Sequence, residues 1–511
     1  MRLGSTLSVT LRGLSGTLVK VEAHIAPGLP AFTLSGLPDA ACAQSPSRIK
    51  AALTVAGQQV PSDRITVNLS PSAIPKRGSG FDLPIACAVL AAAGVLPRDV
   101  VEGVAHIGEL GLDGTIRAVP GVLPAVAEAA RSGVRRVIVP ADNAREATLV
   151  EGVAVHTFAT LAQLIEAYHT LPVERFPDAR AVGPAEVITR PHGDLADVVG
   201  QDTAKLALEI AAAGGHHLML TGPPGAGKTM LAERLITILP PLSTADALGV
   251  MSVRSLLGEL EGQVALDVTP PFVAPHHSAS ATAIVGGGGS QIRPGAITRA
   301  DHGVLFLDEA PEFKKDVLEN LRQPLESGKV IIARARETVT FPARFQLVLA
   351  ANPCPCGMAF GKGLQCRCRP LEVRRYASRI SGPFADRIDL RVNVAPVTLA
   401  SLQDAPGESS AVVRARVEQA REAQRERWQP WNCAQNAWVP GRVLRRGRAA
   451  LPAERLTDLH RALDRGLLSV RGLDRCLRLA WTVADLRGGE SPTRDDIGVA
   501  LGLRGSGGLA A

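Results

Sequence analysis

One run constrains the fold more than any other: His217–Leu235, HLMLTGPPGAGKTMLAERL. An apolar stretch of strand character meets a glycine loop, and the loop opens a helix. Within it Gly222, Pro223, Pro224, Gly225, Ala226, Gly227, Lys228 and Thr229 match G-x-x-x-x-G-K-[ST] at every fixed position, in the strand-then-helix setting that the motif requires. Such a loop turns backbone N–H groups toward phosphates at a helix N-terminus. Lys228 then reaches the β and γ phosphates, and the Thr229 hydroxyl ligates magnesium. The run therefore predicts a parallel α/β core that binds ATP with Mg2+.

Two further strands complete that site. GVLFLDEAPEF is a buried strand ending in two acids, Asp308 and Glu309. Asp308 would hold the magnesium and Glu309 would polarise the attacking water, which marks an ATPase and not a kinase. A turn-capping role accounts for Asp308 but leaves Glu309 without a reason. FQLVLAAN ends in Asn352, positioned as a polar sensor of the γ-phosphate or the water.

At 511 residues the chain exceeds one hydrophobic core. Residues 1–170 alternate β-like runs (Leu7–Leu11, Arg64–Leu69) with Ala-rich helical segments and form an α/β domain; 171–193, rich in proline, read as a linker. The nucleotide motifs fall in 194–396, and 397–511 supply a long polar helix followed by a helical C-terminal lid. Aromatic residues are only 3%, so Ala, Val, Leu and Ile must fill the cores. The longest apolar stretch, Leu83–Leu96, contains a proline and a glycine and is shorter than the roughly 20 residues of a membrane helix. With no signal-peptide core at the start, a cytoplasmic protein with no membrane partner and reduced thiols is expected.

The net charge of +7 favours a polyanion weakly; its distribution says more. Between Ala411 and Ala450 stand nine arginines and three glutamates. The helical part, with pairs such as Arg414–Glu418 and Glu422–Arg425, reads as a solvated face, whereas Arg442, Arg445, Arg446 and Arg448 in a loop-like run form a plausible phosphate-contacting surface. Gly328–Phe341 alternates as a hairpin with Arg334, Arg336 and Glu337 near its tip.

Cys354, Cys356, Cys366 and Cys368 form C-x-C, nine residues, C-x-C, a set able to enclose structural Zn2+ tetrahedrally, although the spacer is tighter than usual. Cys42, Cys87, Cys433 and Cys476 are scattered and read as packing residues.

Several runs together are specific: DVVGQ (Asp197–Gln201), FVAPHHSASATAIVGGG, RPGAITRADHGVLFLDE, ANPCPCG and SGPFADRIDLRV. Through them the chain resembles the ComM/YifB family of magnesium-chelatase-like AAA+ proteins over nearly its whole length. The resemblance implies an AAA+ P-loop αβα core with a helix-2 insertion, a hairpin insertion before the sensor strand, and a ring of identical subunits. The first insertion, with Pro275-His276-His277 and Gly286–Gly289, would face the ring's pore. Arg387, in GPFADRIDL, matches the arginine finger offered to a neighbour's ATP; Arg471, in LSVRGLDRCLRLA, matches the sensor-2 arginine. Residues 1–170 resemble the Lon-protease (S5-like) α/β fold, with Ser79 at the serine motif, yet Pro120–Arg131 contains no lysine, so a Ser-Lys dyad lacks its base. That leaves a scaffold or binding platform. The implied function is a homo-hexameric motor on single-stranded or branched, pore-bound DNA, a branch-migration helicase in recombination during natural transformation. The alternative is a chelatase-type ATPase that remodels a metal-insertion partner.

Overall fold

The computed structural model describes residues 2–179, 187–190, 193–260, 265–288, 292–334, 337–361, 363–396, 407–447 and 449–505. The expectations for Gly289, Arg336 and Arg448 lie outside them. The chain forms two compact units, 1–188 with 243–268, and 189–242 with 269–511.

In the first unit the described residues build a seven-stranded mixed sheet in the order Ala31–Ser35, Arg64–Ser70, Ser15–Ala26, Arg2–Arg12, Ala105–His106, Arg136–Pro140, Ala154–Phe158. Val19, Val21, Ala23 and Ile25 are buried at the two-residue period that puts one strand face inward. The apolar run is the helix Asp82–Ala93, buried from Asp82 to Ala92, and it ends at left-handed Gly94. Small alanines on this helix let it lie close to the sheet, so burial on all sides replaces the missing aromatic bulk. Among the described residues no helix is long and apolar enough to cross a membrane.

Two segments differ from the expected boundaries. The start of the linker is core: Phe176 is buried and packs edge-on against Phe158 and Tyr168, with ring centroids 5.4 and 5.0 Å apart. The helix Thr244–Leu256, placed by its position in sequence with the nucleotide core, belongs to the first unit. Ser243 caps it, its hydroxyl accepting from Asp246 N at 3.1 Å. Its buried residues include Ala247, Val250, Met251 and Val253, and the Ser255 hydroxyl accepts from Leu123 N at 3.2 Å. The chain then pairs Leu266–Asp267 in parallel with Val187–Ile188 before it leaves that unit.

In the second unit a five-stranded parallel sheet runs Phe272–Val273, Val304–Leu307, Gln346–Ala351, Leu218–Thr221, Leu390–Asn393. Its central strands are buried along their whole lengths, as parallel strands covered on both faces must be. The helix Ser410–Trp428 packs on the helix Asp202–Gly214 through Val413, Val417, Ala420 and Trp428, at three- and four-residue spacing. Each of the two valines contributes about 1.5 to 3 kcal/mol on burial.

The cations of this helix are mostly committed to the protein. Arg414 donates to the Thr237 carbonyl at 3.0 Å, Arg421 to the Ala212 carbonyl, and Arg416 pairs with Glu209 at 2.6 Å. Only the Glu422–Arg425 pair of the two expected pairs is formed, at 2.9 Å, because Arg414 is drawn inward. The loop-like arginine run contains a short helix, Gly441–Arg445, in which Arg445 is ion-paired with Asp474. The lid comprises Thr457–Asp464, Val470–Leu486 and Arg494–Gly505.

Candidate nucleotide site and thiol cluster

Three neighbouring strands of the parallel sheet end side by side, and each delivers one part of the site. Leu218–Thr221 pairs with Gln346–Ala351, which pairs with Val304–Leu307. The residues that follow are the glycine loop, Asn352, and Asp308 with Glu309. Adjacent strands lie about 4.8 Å apart, so these groups are brought together at the carboxyl edge, where ligands of open parallel sheets bind.

The glycine loop ends in the helix Lys228–Thr237. Gly225 and Gly227 have φ of 77° and 86°, a left-handed backbone that lets successive N–H groups face one point. Lys228 is buried, and its ammonium donates to the carbonyls of Gly222 and Pro223 at 2.8 and 2.9 Å and to Asn352 Oδ1 at 3.1 Å. Burial draws its pKa below the ordinary value, against the opposing pull of Asp308 and Glu309. The link to Asn352 joins the lysine of the glycine loop directly to the end of the strand Gln346–Ala351.

Thr229 Oγ1 donates to Asp308 Oδ2 at 3.0 Å. Hydroxyl and carboxylate thus face the same spot, the two protein ligands a magnesium ion would take. Glu309 adopts φ of 51°, which costs a side-chain-bearing residue energy and turns its carboxylate out of the strand line. Glu309 Oε2 lies 3.2 Å from His277 Nδ1. The histidine pair, read from sequence as part of an insertion, therefore supplies a partner to the Glu309 carboxylate. Sequence alone gave no signal for that contact.

Arg387 and Arg471 stand together elsewhere. Arg387 sits just before the strand Leu390–Asn393, whose first residue pairs with Leu218 and whose last pairs with Thr221. It is therefore at the amino edge of the sheet, roughly 13 Å of strand from the glycine loop. Its guanidinium is buried, pairs with Glu326 at 2.6 Å and donates to the Pro383 carbonyl at 2.6 Å; the acids nearest it in sequence, Asp386 and Asp389, are engaged by Arg504 and Arg475. Arg471, largely exposed, is 4.0 Å from the same Glu326 carboxylate oxygen. Both arginines line a cleft of about 300 Å³ that no residue of the glycine loop borders. One turn along the helix, Arg475 binds buried Asp389; burial alone would raise the Asp389 carboxyl, but Arg475 holds it well below the usual carboxylate range. Glu326 was missed in the sequence because it lies in no nucleotide motif.

Comparison with known proteins accounts for this assembly along the whole chain. The model of the magnesium chelatase subunit ChlI matches residues 194–402, that of subunit ChlI of Mg-chelatase matches 21–143, and that of the ChlI C-terminal region matches 407–504. Competence protein ComM of Haemophilus influenzae is 41% identical over 509 residues, covering 99% of this chain and 98% of its own. YifB of Escherichia coli is 41% identical over 499 residues, covering 96% and 95%. The chain belongs to the ComM/YifB family of magnesium-chelatase-like AAA+ proteins. An uncharacterized protein of Mycobacterium tuberculosis is similar too, 49% identical over 510 residues and 99% of each chain.

Beyond the nucleotide site, this ComM/YifB family member gathers four thiols. The sulfurs of Cys354, Cys356, Cys366 and Cys368 all lie within 4.8 Å of one another and could hold a metal ion. The other four cysteines are free, and Cys42, Cys87 and Cys476 are buried, as packing residues are. In the first unit the Ser79 hydroxyl is bonded to Glu109, and Lys76, three residues earlier, is buried and donates to the Pro71 carbonyl. Ser79 is thus tied to an acid, and the nearest lysine in sequence is turned to a carbonyl.

Proposed function

We propose that this chain is a cytoplasmic, ATP-hydrolysing motor that works as a ring of six identical subunits on DNA, a helicase driving branch migration of recombination intermediates in natural transformation. The observation that carries the ring is the pairing of Arg387 and Arg471 at the sheet edge opposite the glycine loop. A cation there is out of reach of its own subunit's γ-phosphate and is available to a neighbour's. An incoming phosphate would exchange for the Glu326 carboxylate as the acceptor, and buried Arg387 Nε, without a hydrogen-bond partner among the described residues, has a donor to offer. Lys228 and Asn352 would sense ATP, Thr229 and Asp308 would hold Mg2+, and Glu309 would orient the water.

The relative named as a competence protein supports DNA as the substrate. So does the hairpin Lys329–Arg334 with Glu337–Pro342, whose exposed Arg334 opposes Glu337 at the tip. Three residues separate it from the strand Gln346–Ala351 that leads to Asn352, so a shift at the sensor reaches the hairpin through one short segment. Arg334→Ala with Arg336→Ala is expected to weaken DNA binding alike for all sequences and to flatten its salt dependence by roughly one unit of slope per lost phosphate contact. Basal ATP turnover should persist, since neither residue belongs to the hydrolytic set. Normal DNA affinity with an unchanged salt slope would remove the hairpin as the grip and turn attention to Arg442 and Arg446.

The second reading, a chelatase-type ATPase remodelling a metal-insertion partner, is favoured by the family models, which are those of a magnesium chelatase subunit. ATPase assays with forked or single-stranded DNA separate the two: stimulation supports the DNA motor, and indifference to every DNA form supports the second reading.

A further inference from the structure

The segment Cys354–Cys368 has no core of its own. Gly361, Leu364 and Gln365 are exposed, and it contains no helix or strand among its described residues. Chain of that kind keeps one shape only when something staples it. Its four sulfurs are spaced as a metal would space them: Cys354 Sγ is 3.4 Å from Cys356 Sγ and 3.7 Å from Cys366 Sγ, and Cys356 is 3.8 Å from Cys366. A tetrahedron with metal–sulfur bonds of about 2.3 Å has edges of about 3.8 Å. Backbone N–H groups complete the arrangement. Ala359 N donates to Cys354 Sγ at 3.3 Å, and those of Met358 and Arg367 point at the Cys356 sulfur. Donors aimed at sulfur offset the charge that four thiolates bring, as outer-shell groups of metal sites do.

The cluster abuts the nucleotide site. Gly357, with φ of 77°, lies so close to the glycine loop that a Cβ there would stand 2.5 Å from Pro224 Cδ. Cys354 is fully buried, and two residues before it is Asn352, bonded to Lys228.

We propose that Cys354, Cys356, Cys366 and Cys368 hold one zinc ion, and that the zinc-bound turn braces the glycine loop and Asn352 in their nucleotide-binding positions. The bracing rests on the nucleotide reading above; the metal does not. Zinc binding and ATP binding are then linked, and each strengthens the other by the same factor.

Metal analysis of the full chain prepared without chelator should give about one zinc per chain. Cys354→Ser with Cys366→Ser should remove it and weaken binding of a fluorescent ATP analogue by about tenfold or more. Gly357→Ala keeps all four thiols, so it should retain zinc yet lose nucleotide affinity, a split that ligand loss alone cannot produce. Because the serine variant can fail by misfolding, the decisive measurement uses Glu309→Gln, which keeps its ATP intact. Its zinc affinity, read by competition with a chromogenic chelator, should rise with ATP by the factor that zinc adds to ATP affinity. Absence of zinc, or iron in its place, overturns the metal assignment. Zinc affinity indifferent to ATP, with a Gly357→Ala chain that binds ATP normally, overturns the bracing. A full zinc count in a wild-type chain that binds no ATP at all overturns the nucleotide reading and the bracing with it, and upholds the metal.

Discussion

Replacing Lys228 with alanine should abolish ATP binding, whereas Glu309→Gln should bind ATP normally and fail to turn it over. The two residues are brought to one edge of the sheet by different strands and would meet different atoms of the reactants. Lys228 is the buried cation at the mouth of the glycine loop, held by two loop carbonyls and by Asn352. Its removal leaves the β and γ phosphates without their compensating charge in a site already partly withdrawn from water, where that charge counts most. Glu309 is half exposed and would face the attacking water, and Gln keeps its size while losing the charge that would polarise that water. Equilibrium binding of a fluorescent ATP analogue and single-turnover hydrolysis separate the two. Equal loss of affinity in both variants would refute the roles given to them.

Arg387→Ala should lower turnover by about 10³ to 10⁵, the range for a finger supplied by a neighbouring subunit, or about 4 to 7 kcal/mol of transition-state stabilisation. ATP binding should be nearly unchanged, because Arg387 is at the far edge of the sheet from its own glycine loop. Mixed rings make the test sharp. A ring of Lys228→Ala subunits lacks nucleotide, and a ring of Arg387→Ala subunits lacks the finger. When the two are mixed, some interfaces join an intact glycine loop to an intact finger, and activity should reappear. Full activity of Arg387→Ala alone, or no recovery on mixing, would return Arg387 to a structural part as the partner of Glu326.

The elements that gather at the candidate site were legible in the sequence because each is fixed by its immediate neighbours: a glycine loop between strand and helix, two acids after four apolar residues, an asparagine at the end of a third strand. Parallel pairing then had to bring the three strand ends together. The four thiols were legible for a related reason, since two C-x-C pairs within one glycine-containing loop form a set able to enclose one tetrahedral metal ion. Allegiance across the chain was not legible. The helix Thr244–Leu256 has an apolar face, and a pattern of spacing names no partner for such a face. Arg414, Arg416 and Arg421 read as a solvated basic face, yet they reach carbonyls and a carboxylate of the helices beside them. Charge count along a helix does not tell which cations are already paired. Glu326, and the contact of His277 with Glu309, escaped notice because their importance lies only in what they touch.

The excursion of residues 243–268 into the first unit changes what a deletion experiment would mean. The two units are interleaved in the sequence, and the chain crosses between them three times, near residues 188, 242 and 268. A protein cut at residue 189 would keep Thr244–Leu256 and lose the surface that covers Ala247, Val250, Met251 and Val253. Such a remnant would expose an apolar face and self-associate, so its inactivity would say nothing about what the N-terminal residues contribute. A clean excision must also replace 243–268 with a short polar loop joining Leu242 to Thr269. A protease, likewise, must cut at three places before the units part.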